Sequence, residues 1–174
     1  MPVTDSETKN DSFHNEESLL SEHSGSLFVF TGNVALGGNA SQSSTNWGGD
    51  ANRAIDGNRN AFYGNLSCTH TNTDDEPWWS LDLFTAVPVL CIKITNRQDC
   101  CWQRLRNIEI RVGLFPATQN DKNQVCGNIV GLRAGETKVI SCGGMLGRFI
   151  NIHKKEKGIL TLCECEVYAH NKIL

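Results

Sequence analysis

Short segments in which apolar and polar residues alternate run through most of this sequence, and they limit the chain to a fold built from β-strands. In residues 107–114 every second side chain is apolar, which is typical of a strand with one buried face. No segment keeps an apolar helical stripe for three turns. Because such strands follow one another closely, we predict an all-β antiparallel sandwich or jelly roll with its functional loops at one end. The other predicted strands are residues 79–84, 89–95, 137–142, 148–153 and 162–168.

The first residues of the chain differ in composition from the rest. Ser, Asn, Asp and Glu are frequent there and apolar residues are few, so this segment buries too little apolar surface to offset its conformational entropy. A chain of 174 residues has the length for one domain with a tail. We therefore predict a disordered acidic tail at residues 1–26 and a single domain at residues 27–174.

Charge and hydropathy argue against two classes of partner. The net charge is −3 and there is no long basic run, whereas nucleic-acid binding needs a basic surface that displaces counterions. The longest nearly unbroken apolar stretch, residues 86–92, is far shorter than the roughly 20 residues that cross a bilayer. We expect no nucleic-acid partner and no membrane span.

Eight cysteines point to an oxidising compartment, because so many thiols are a redox liability in the cytosol. We therefore predict a secreted, extracellular protein. The N-terminal residues lack the basic start and apolar run of a secretory signal. Either a signal lies upstream of this chain start, which we favour, or export follows an unconventional route.

Residues 95–104 concentrate two arginines, an aspartate, a tryptophan and two adjacent cysteines in a loop between predicted strands. Arginine offers five rigid donors that suit hydroxyl, carboxylate or phosphate oxygens. A solvated loop with Asp99 paired to an arginine is the alternative. The adjacent cysteines, Cys100 and Cys101, either pair elsewhere or bond each other into a small rigid ring.

The spacing of these residues from an upstream histidine resembles a known motif. His70 is separated from Arg97 by 26 residues, Asp99 follows Arg97 after one residue, and four residues separate Asp99 from Arg104. This pattern, with Cys-Cys directly after the aspartate, resembles the fucose-binding motif of the F-type lectins, the fucolectins of eels and other fish. Collinear similarity extends over residues 32–168. Gln98 departs from the family's usual Gly, so no Arg-Gly-Asp attachment motif is present.

The resemblance implies a sugar site and the residues that form it. His70, Arg97 and Arg104 would donate hydrogen bonds to α-L-fucose, while the apolar edge of the sugar would pack on a floor of Cys100, Cys101 and Phe62 or Tyr63. Such a floor beside fixed donors suits a neutral sugar with a methyl group and several hydroxyls. Trp47 and Trp102 lie in loops that could reach a longer oligosaccharide.

The resemblance also implies a structural Ca²⁺. Asp56-Gly57-Asn58 alone is far more often an ordinary turn than a metal site. In the family the corresponding segment wraps Ca²⁺, and the ligands map here to Arg53 (carbonyl), Asp56, Asn58 (carbonyl), Ser67, Cys163 (carbonyl) and Glu164.

Three disulfides follow from the same resemblance: Cys68–Cys163, Cys100–Cys101 and Cys126–Cys142. Cys91 and Cys165 lie outside that pattern, and both fall in predicted strands. If those strands are neighbours a fourth bridge is possible, which we favour; otherwise one or both thiols are free.

The resemblance as a whole implies an extracellular, calcium-containing lectin that binds terminal α-L-fucose on glycans in innate-immune recognition or agglutination, and it suggests a homotrimer. The main alternative is a discoidin-like adhesion module that binds a protein or lipid surface without sugar specificity. A zinc scaffold is disfavoured because no paired Cys-x2-Cys spacing is present. No nucleophile motif accompanies His70, and the acidic residues 74–76 fit a solvated loop, so we expect no enzymatic activity.

Overall fold

The computed structural model describes residues 20–23, 26–30 and 32–172. Its strands are β1 (Leu20–His23), β2 (Ser26–Phe30), β3 (Asn39–Gln42), β4 (Trp78–Thr95), β5 (Arg106–Gly113), β6 (Gln124–Gly131), β7 (Thr137–Lys154) and β8 (Glu164–Lys172). Short 3-10 turns cover Val34–Gly37, Ala51–Ile55, Tyr63–Asn65, Trp102–Arg104 and Ala117–Lys122. Among the described residues no helix has the length and apolarity to cross a membrane.

All strand pairings are antiparallel, which confirms the predicted all-β architecture. The strands follow the order β1-β2-β8-β4-β7-β5-β6, and β3 pairs with β4. Segments 79–84 and 89–95, predicted as separate strands, join in β4, and segments 137–142 and 148–153 join in β7. Sequence reasoning missed β3 and β6.

The predicted tail, residues 1–26, falls largely outside the described residues. Residues 20–23 and 26 are described, and they belong to β1 and β2. These two strands pair with each other, and β2 pairs with β8. An argument from side-chain burial missed this pairing because main-chain hydrogen bonds hold an edge strand without a large apolar face.

The paired strands β4 and β7 form a ribbon whose two ends meet. The register of the β4–β7 pairing is interrupted between Asp82 and Val87. At such an interruption a ribbon can bend from one layer of a sandwich into the other. Asn96, which follows β4, donates from Nδ2 to the carbonyl of Trp102 at 3.0 Å. Lys154, at the end of β7, donates from Nζ to the carbonyl of Arg104 at 2.9 Å. Both ends of the ribbon therefore support the loop between β4 and β5.

The core lies between the two halves of the ribbon and joins the sheet to one functional loop. Trp79 and Ile92, from opposite halves of β4, are fully buried. The Trp79 indole Nε1 donates to the carbonyl of Ala51 at 2.9 Å. That bond fixes the 3-10 turn Ala51–Ile55, which contains Arg53.

The three disulfides that the resemblance implies are present: Cys68–Cys163, Cys100–Cys101 and Cys126–Cys142. The expected fourth bridge is wrong, because Cys91 and Cys165 are both free thiols. Their strands are neighbours, but Cys91 lies opposite Tyr168 and Cys165 lies opposite Ile94. Three positions along a strand amount to about 10 Å, which is beyond the reach of a disulfide.

We predict that Trp79→Phe lowers the free energy of unfolding by about 1–3 kcal/mol, because it leaves the buried carbonyl of Ala51 without its donor. Trp78→Phe is the matched control, since Trp78 is only half-buried and stacks on the ring of His153. Its expected cost is below about 1 kcal/mol. Urea unfolding of both variants measures the difference, and equal costs would contradict this role of the indole.

Candidate functional site

A pocket of about 340 Å³ lies beside the loop that joins β4 to β5. It gathers most of the residues implied for sugar binding, together with one of the two tryptophans considered for a longer glycan. Phe62, the alternative to Tyr63 as the apolar floor, is not among the lining residues, and Trp102 lines a neighbouring pocket. The lining residues are Trp47, Tyr63, His70, Arg97, Cys100, Cys101 and Arg104.

Asn96 anchors the loop that carries this pocket. Its side chain is fully buried, and Nδ2 lies within 3.1 Å of the carbonyls of Trp102, Leu132 and Arg133. Its Oδ1 accepts from the backbone N–H of Arg97 at 2.8 Å. Asn96 directly follows a predicted strand, but nothing in the sequence shows that its amide is buried, so sequence reasoning missed it.

Arg97 is held in place from two sides. Its Nε and Nη2 donate to the two carboxylate oxygens of Asp99 at 2.8 and 2.6 Å. Its guanidinium carbon lies 4.4 Å from the centre of the Tyr63 ring. The Arg97 guanidinium lowers the pKa of Asp99 to about 2. The ion pair considered for a solvated loop thus exists, but it fixes a nearly buried arginine at the edge of a pocket.

His70 has a defined neutral form in this pocket. Since a guanidinium only donates hydrogen bonds, the 3.0 Å contact between Arg104 Nη1 and His70 Nε2 makes Nε2 an acceptor. The other nitrogen, Nδ1, then donates to the carbonyl of Thr71 at 2.7 Å. Burial lowers the pKa of His70, which favours the uncharged ring. The resemblance implies a donor, but here the nitrogen that meets Arg104 accepts.

Gly49 allows His70 to sit close to the backbone of a neighbouring loop. The backbone N–H of His70 donates to the carbonyl of Gly49 at 2.9 Å. A Cβ at position 49 would lie only 2.5 Å from the Cβ and the backbone nitrogen of His70. Only glycine fits there, and sequence reasoning did not single it out.

Arg104 gives the pocket an excess of positive charge. Unlike Arg97, it makes no ion pair with any residue that the structure describes, and its contact with His70 leaves most of its donors free. Burial, and then the charge of Arg97, lower the pKa of Arg104. The pocket therefore presents donors that suit the oxygens of a polar ligand.

The bonded pair Cys100–Cys101 contributes apolar surface to the lining, next to the Tyr63 ring. Cys101 adopts a left-handed backbone conformation with φ of 60°, and its carbonyl accepts from the N–H of Arg104 at 3.0 Å. The ring and the 3-10 turn that follows it therefore hold Arg104 at a set position relative to the sulfur surface.

Two of the residues implied for Ca²⁺ already take part in turns of the protein. Asp56 Oδ1 accepts from the N–H of Asn58 at 2.8 Å. Ser67 Oγ donates to the carbonyl of Phe62 at 2.9 Å. Arg53 directs its guanidinium toward the Tyr63 ring, at 5.6 Å from the ring centre. The segment that would hold the ion is thus joined to the lining of the pocket.

Glu164 carries a buried carboxylate without an ion-pair partner among the described residues. It is fully buried, and neither of its oxygens forms a hydrogen bond of good geometry, although the backbone N–H of Gly57 is near enough to act against the rise of its pKa. Burial, together with the nearby charge of Asp56, raises the pKa of Glu164 to about 7. Glu166, two residues along the same strand, instead contacts Arg59 and Lys93 at 2.7 and 3.2 Å. The buried carboxylate of Glu164, near the carboxylate of Asp56, fits a bound cation.

No cluster of three or more His, Cys, Asp or Glu side chains arranged for a metal occurs in residues 32–170. The implied ligand set contains only two carboxylates and takes its other oxygens from backbone carbonyls and a hydroxyl. Oxygen ligands of this kind suit Ca²⁺ rather than zinc. The partnerless oxygens of Glu164 are thus the observation that fits Ca²⁺ here.

Known proteins resemble the chain in sequence and in structure. A family sequence model described as "NedA-like, galactose-binding domain" matches residues 53–152. Fucolectin from Anguilla anguilla is 38% identical over 141 residues, which are 78% of this chain and 89% of that protein. Fucolectin-1 from Anguilla japonica is 36% identical over 143 residues, 79% of this chain and 80% of the relative.

The structural comparison agrees with the sequence comparison. An F-lectin (fucolectin) from the serum of Morone saxatilis, the striped bass, has a TM-score of 0.77 and 39% identity. The similarity covers 81% of this chain and 48% of the bass lectin, so the chain spans about half the length of that protein. A fucose-binding module of Streptococcus pneumoniae, SpX-3, has a TM-score of 0.71 and 34% identity, covering 81% of this chain and 100% of the module. Because identity at this level extends across most of the eel fucolectin and the fold is shared with the bass lectin, the chain belongs to the F-type lectin (fucolectin) family.

Proposed function

We propose that this protein is a lectin without enzymatic activity that binds terminal α-L-fucose on glycans. The observation that carries the proposal is the meeting of His70, Arg97 and Arg104 with a disulfide surface in one pocket. The three polar residues come from two loops that are 26 residues apart in sequence. A related structure is described as a fucose-binding module, which supports the same ligand class.

The chemistry of the pocket suits a neutral sugar with one apolar edge. Arg97 is already fixed by Asp99, and the 3-10 turn holds the backbone of Arg104, so little conformational entropy is lost when a sugar binds. The free N–H groups of the arginines would donate to sugar oxygens. The methyl edge of fucose would pack on the Cys100–Cys101 sulfurs and on Tyr63.

His70 would contribute in a different way from the arginines. Its Nε2 accepts from Arg104, so a sugar oxygen that takes the Arg104 donor leaves Nε2 ready to accept from a sugar hydroxyl. One arginine–histidine contact would thus be exchanged for two contacts with the sugar.

We propose that Ca²⁺ binds through Asp56 and Glu164, with the carbonyls of Arg53, Asn58 and Cys163 and the hydroxyl of Ser67 completing the set. The partnerless carboxylate of Glu164 supports this. The ion would neutralise the two carboxylates and brace the loop that leads from Ser67 to His70. Its role is structural.

A discoidin-like adhesion module stays the second candidate, because large apolar side chains are exposed far from the pocket. Phe84, Leu114 and Leu146 are 58%, 56% and 61% exposed; Phe84 lies in the bend of the β4–β7 ribbon, Leu146 is opposite Pro88, and Leu114 follows Gly113, which pairs with Phe149. The polar, arginine-bearing pocket at the opposite end favours the sugar.

We further propose that the protein is secreted and acts in innate-immune recognition or agglutination. The disulfides and the serum origin of the striped bass relative support secretion. A single sugar site binds weakly, so agglutination requires several sugar sites in one protein assembly. A homotrimer would supply them.

We predict that Arg97→Ala weakens L-fucose binding at least about tenfold, the loss expected when charged hydrogen bonds to the sugar are removed. Arg148→Ala is the matched control, because Arg148 forms the same two-bond pair with Asp82 at 2.7 Å but lies outside the pocket. Titration calorimetry on folded protein measures both affinities. The sugar site is refuted if Arg97→Ala binds fucose as tightly as Arg148→Ala.

We predict that Ca²⁺ raises the melting temperature of the chelated wild type and leaves that of Glu164→Gln nearly unchanged, since a ligand of the folded state stabilises it by mass action. The glutamine keeps the shape of the side chain and removes its charge. Thermal melts of both proteins with EDTA and with added Ca²⁺ measure the shifts. Equal shifts in the two proteins would exclude Glu164 as a ligand.

The same residue gives a pH dependence to the calcium-free protein. Because the folded-state pKa of Glu164 is raised from 4.5 to about 7, the folded state binds the extra proton. Its contribution to stability is therefore fully present below pH 4.5 and is lost as the pH rises through about 7. In EDTA, the wild type should lose more stability than Glu164→Gln between about pH 5 and pH 8, because the Glu164 carboxyl titrates within that range. Parallel pH profiles would count against the raised pKa.

A further inference from the structure

Two Asn-x-Ser triplets, the pattern that accepts N-linked glycans in secreted proteins, lie in the described part of the chain. One is Asn39-Ala40-Ser41 and the other is Asn65-Leu66-Ser67. Such a triplet is short and occurs by chance, so the sequence does not show whether either is used. The structure separates the two, because an N-linked glycan needs an accessible acceptor amide and a site that has room for a bulky polar group.

The triplet at Asn39 meets these conditions. Asn39 is exposed at the start of β3, whereas the next residue, Ala40, is buried in the core. Ser41 is exposed as well. No described residue forms a hydrogen bond with the side-chain amide of Asn39. Since β3 pairs with β4 alone among the described strands, the triplet lies in extended backbone at an open edge of the sheet.

The triplet at Asn65 is folded into a tight turn beside the fucose pocket. Ser67 is buried, and its Oγ donates to the carbonyl of Phe62 at 2.9 Å. Leu66, the middle residue, has a left-handed backbone conformation with φ of 58°. This turn withdraws the hydroxyl that the acceptor pattern requires. The same 3-10 turn contains Tyr63, which lines the pocket, so a glycan on Asn65 would crowd the sugar site.

Asn39, by contrast, lies toward the end of the sandwich that is away from the pocket. It is opposite Asp82, where the bend of the β4–β7 ribbon begins. At the other end of β3, Gln42 Nε2 donates at 2.9 Å to the carbonyl of Gly49, in the loop that packs on His70. Three strand positions, about 10 Å, separate Asn39 from Gln42. A glycan on Asn39 therefore leaves the pocket open.

The bend next to Asn39 exposes a large aromatic side chain. Phe84 is 58% exposed, and its backbone N–H donates to Asp82 Oδ1 at 2.7 Å. Because Asp82 is the cross-strand partner of Asn39, Phe84 lies within reach of the first sugars of a glycan on Asn39. The C–H face of a sugar ring is apolar and suits an aromatic surface. A glycan at this position would therefore cover Phe84.

We propose that Asn39 carries an N-linked glycan that covers the bend of the β4–β7 ribbon and leaves the fucose pocket free. The inference rests on the proposed secretion, because this modification belongs to secreted proteins. In the transfer, the amide nitrogen of Asn39 bonds to the anomeric carbon of an oligosaccharide carried on a lipid diphosphate. The bond from that carbon to the diphosphate oxygen breaks, and the lipid diphosphate and one amide proton leave. The glycan also holds the bend away from a flat lipid surface, which counts against the second candidate function.

The test expresses the full chain behind a cleavable secretion signal in animal cells and maps the modification by peptide sequencing. In the wild type, an amidase that releases N-linked glycans should lower the mass and convert residue 39 to aspartate. Asn39→Gln and Ser41→Ala should both lose this glycan, whereas Ser41→Thr keeps the acceptor pattern and should retain it. Asn65→Gln is the matched control and should leave the glycan on Asn39 in place. Sequencing reads residue 39 itself, so a third triplet at residues 10–12, outside the described residues, does not affect the result.

Two further measurements on the secreted protein test where the glycan lies. Its removal should increase the fluorescence of the dye ANS, which reports exposed apolar surface, and Phe84→Ser should abolish most of that increase. Fucose affinity should stay within about twofold of its value before removal. An unmodified Asn39 in folded, secreted wild type would overturn the site, and unchanged ANS fluorescence would overturn the covering of Phe84. Protein that is glycosylated at Asn39 but does not bind fucose would overturn the proposed lectin function and leave the glycan site standing.

Discussion

The hydrogen bonds of one buried side chain, Asn96, hold together the parts of the protein on which binding depends. Its amide contacts a carbonyl within the loop between β4 and β5 and another in the loop between β6 and β7, and its oxygen orients the backbone of Arg97. The bend of the β4–β7 ribbon brings Lys154 to the same loop, where it donates to the carbonyl of Arg104. Asn96 and Lys154 therefore hold the loop in place before any ligand binds.

Within the pocket, pairing between side chains sets the charge and the hydrogen-bonding role of each polar group. Asp99 neutralises Arg97 and orients its remaining donors, whereas Arg104 has only the uncharged His70 as its partner. The pocket thus keeps one excess positive charge without a second carboxylate that would compete for sugar hydroxyls. The opposite arrangement holds at Glu164, where a buried carboxylate lacks the cation that the arginines supply elsewhere.

Sequence reasoning predicted the features that depend on the spacing and alternation of residues, and it failed for the features that depend on tertiary packing. The strand of residues 107–114 was found because alternation is a local property, and the group His70, Arg97 and Arg104 was found because its spacing resembles the motif of a known family. The joining of two predicted strands through the bulge near Val87 is not local, since it depends on pairing with β7. The same holds for β6, whose exposed Val130 breaks the alternation that marks a strand. The buried amide of Asn96 leaves no trace in composition or spacing.

The central claim, that the pocket recognises terminal α-L-fucose, is tested most directly by applying the full chain, with Ca²⁺ present, to an array of glycans that differ only in their terminal sugar. The account predicts binding to the α-L-fucose-terminated members and release by free L-fucose but not by free D-galactose. Since the matching sequence family is described as galactose-binding, that comparison is the decisive one. Binding that galactose releases and fucose does not, or binding indifferent to the terminal sugar, would contradict it.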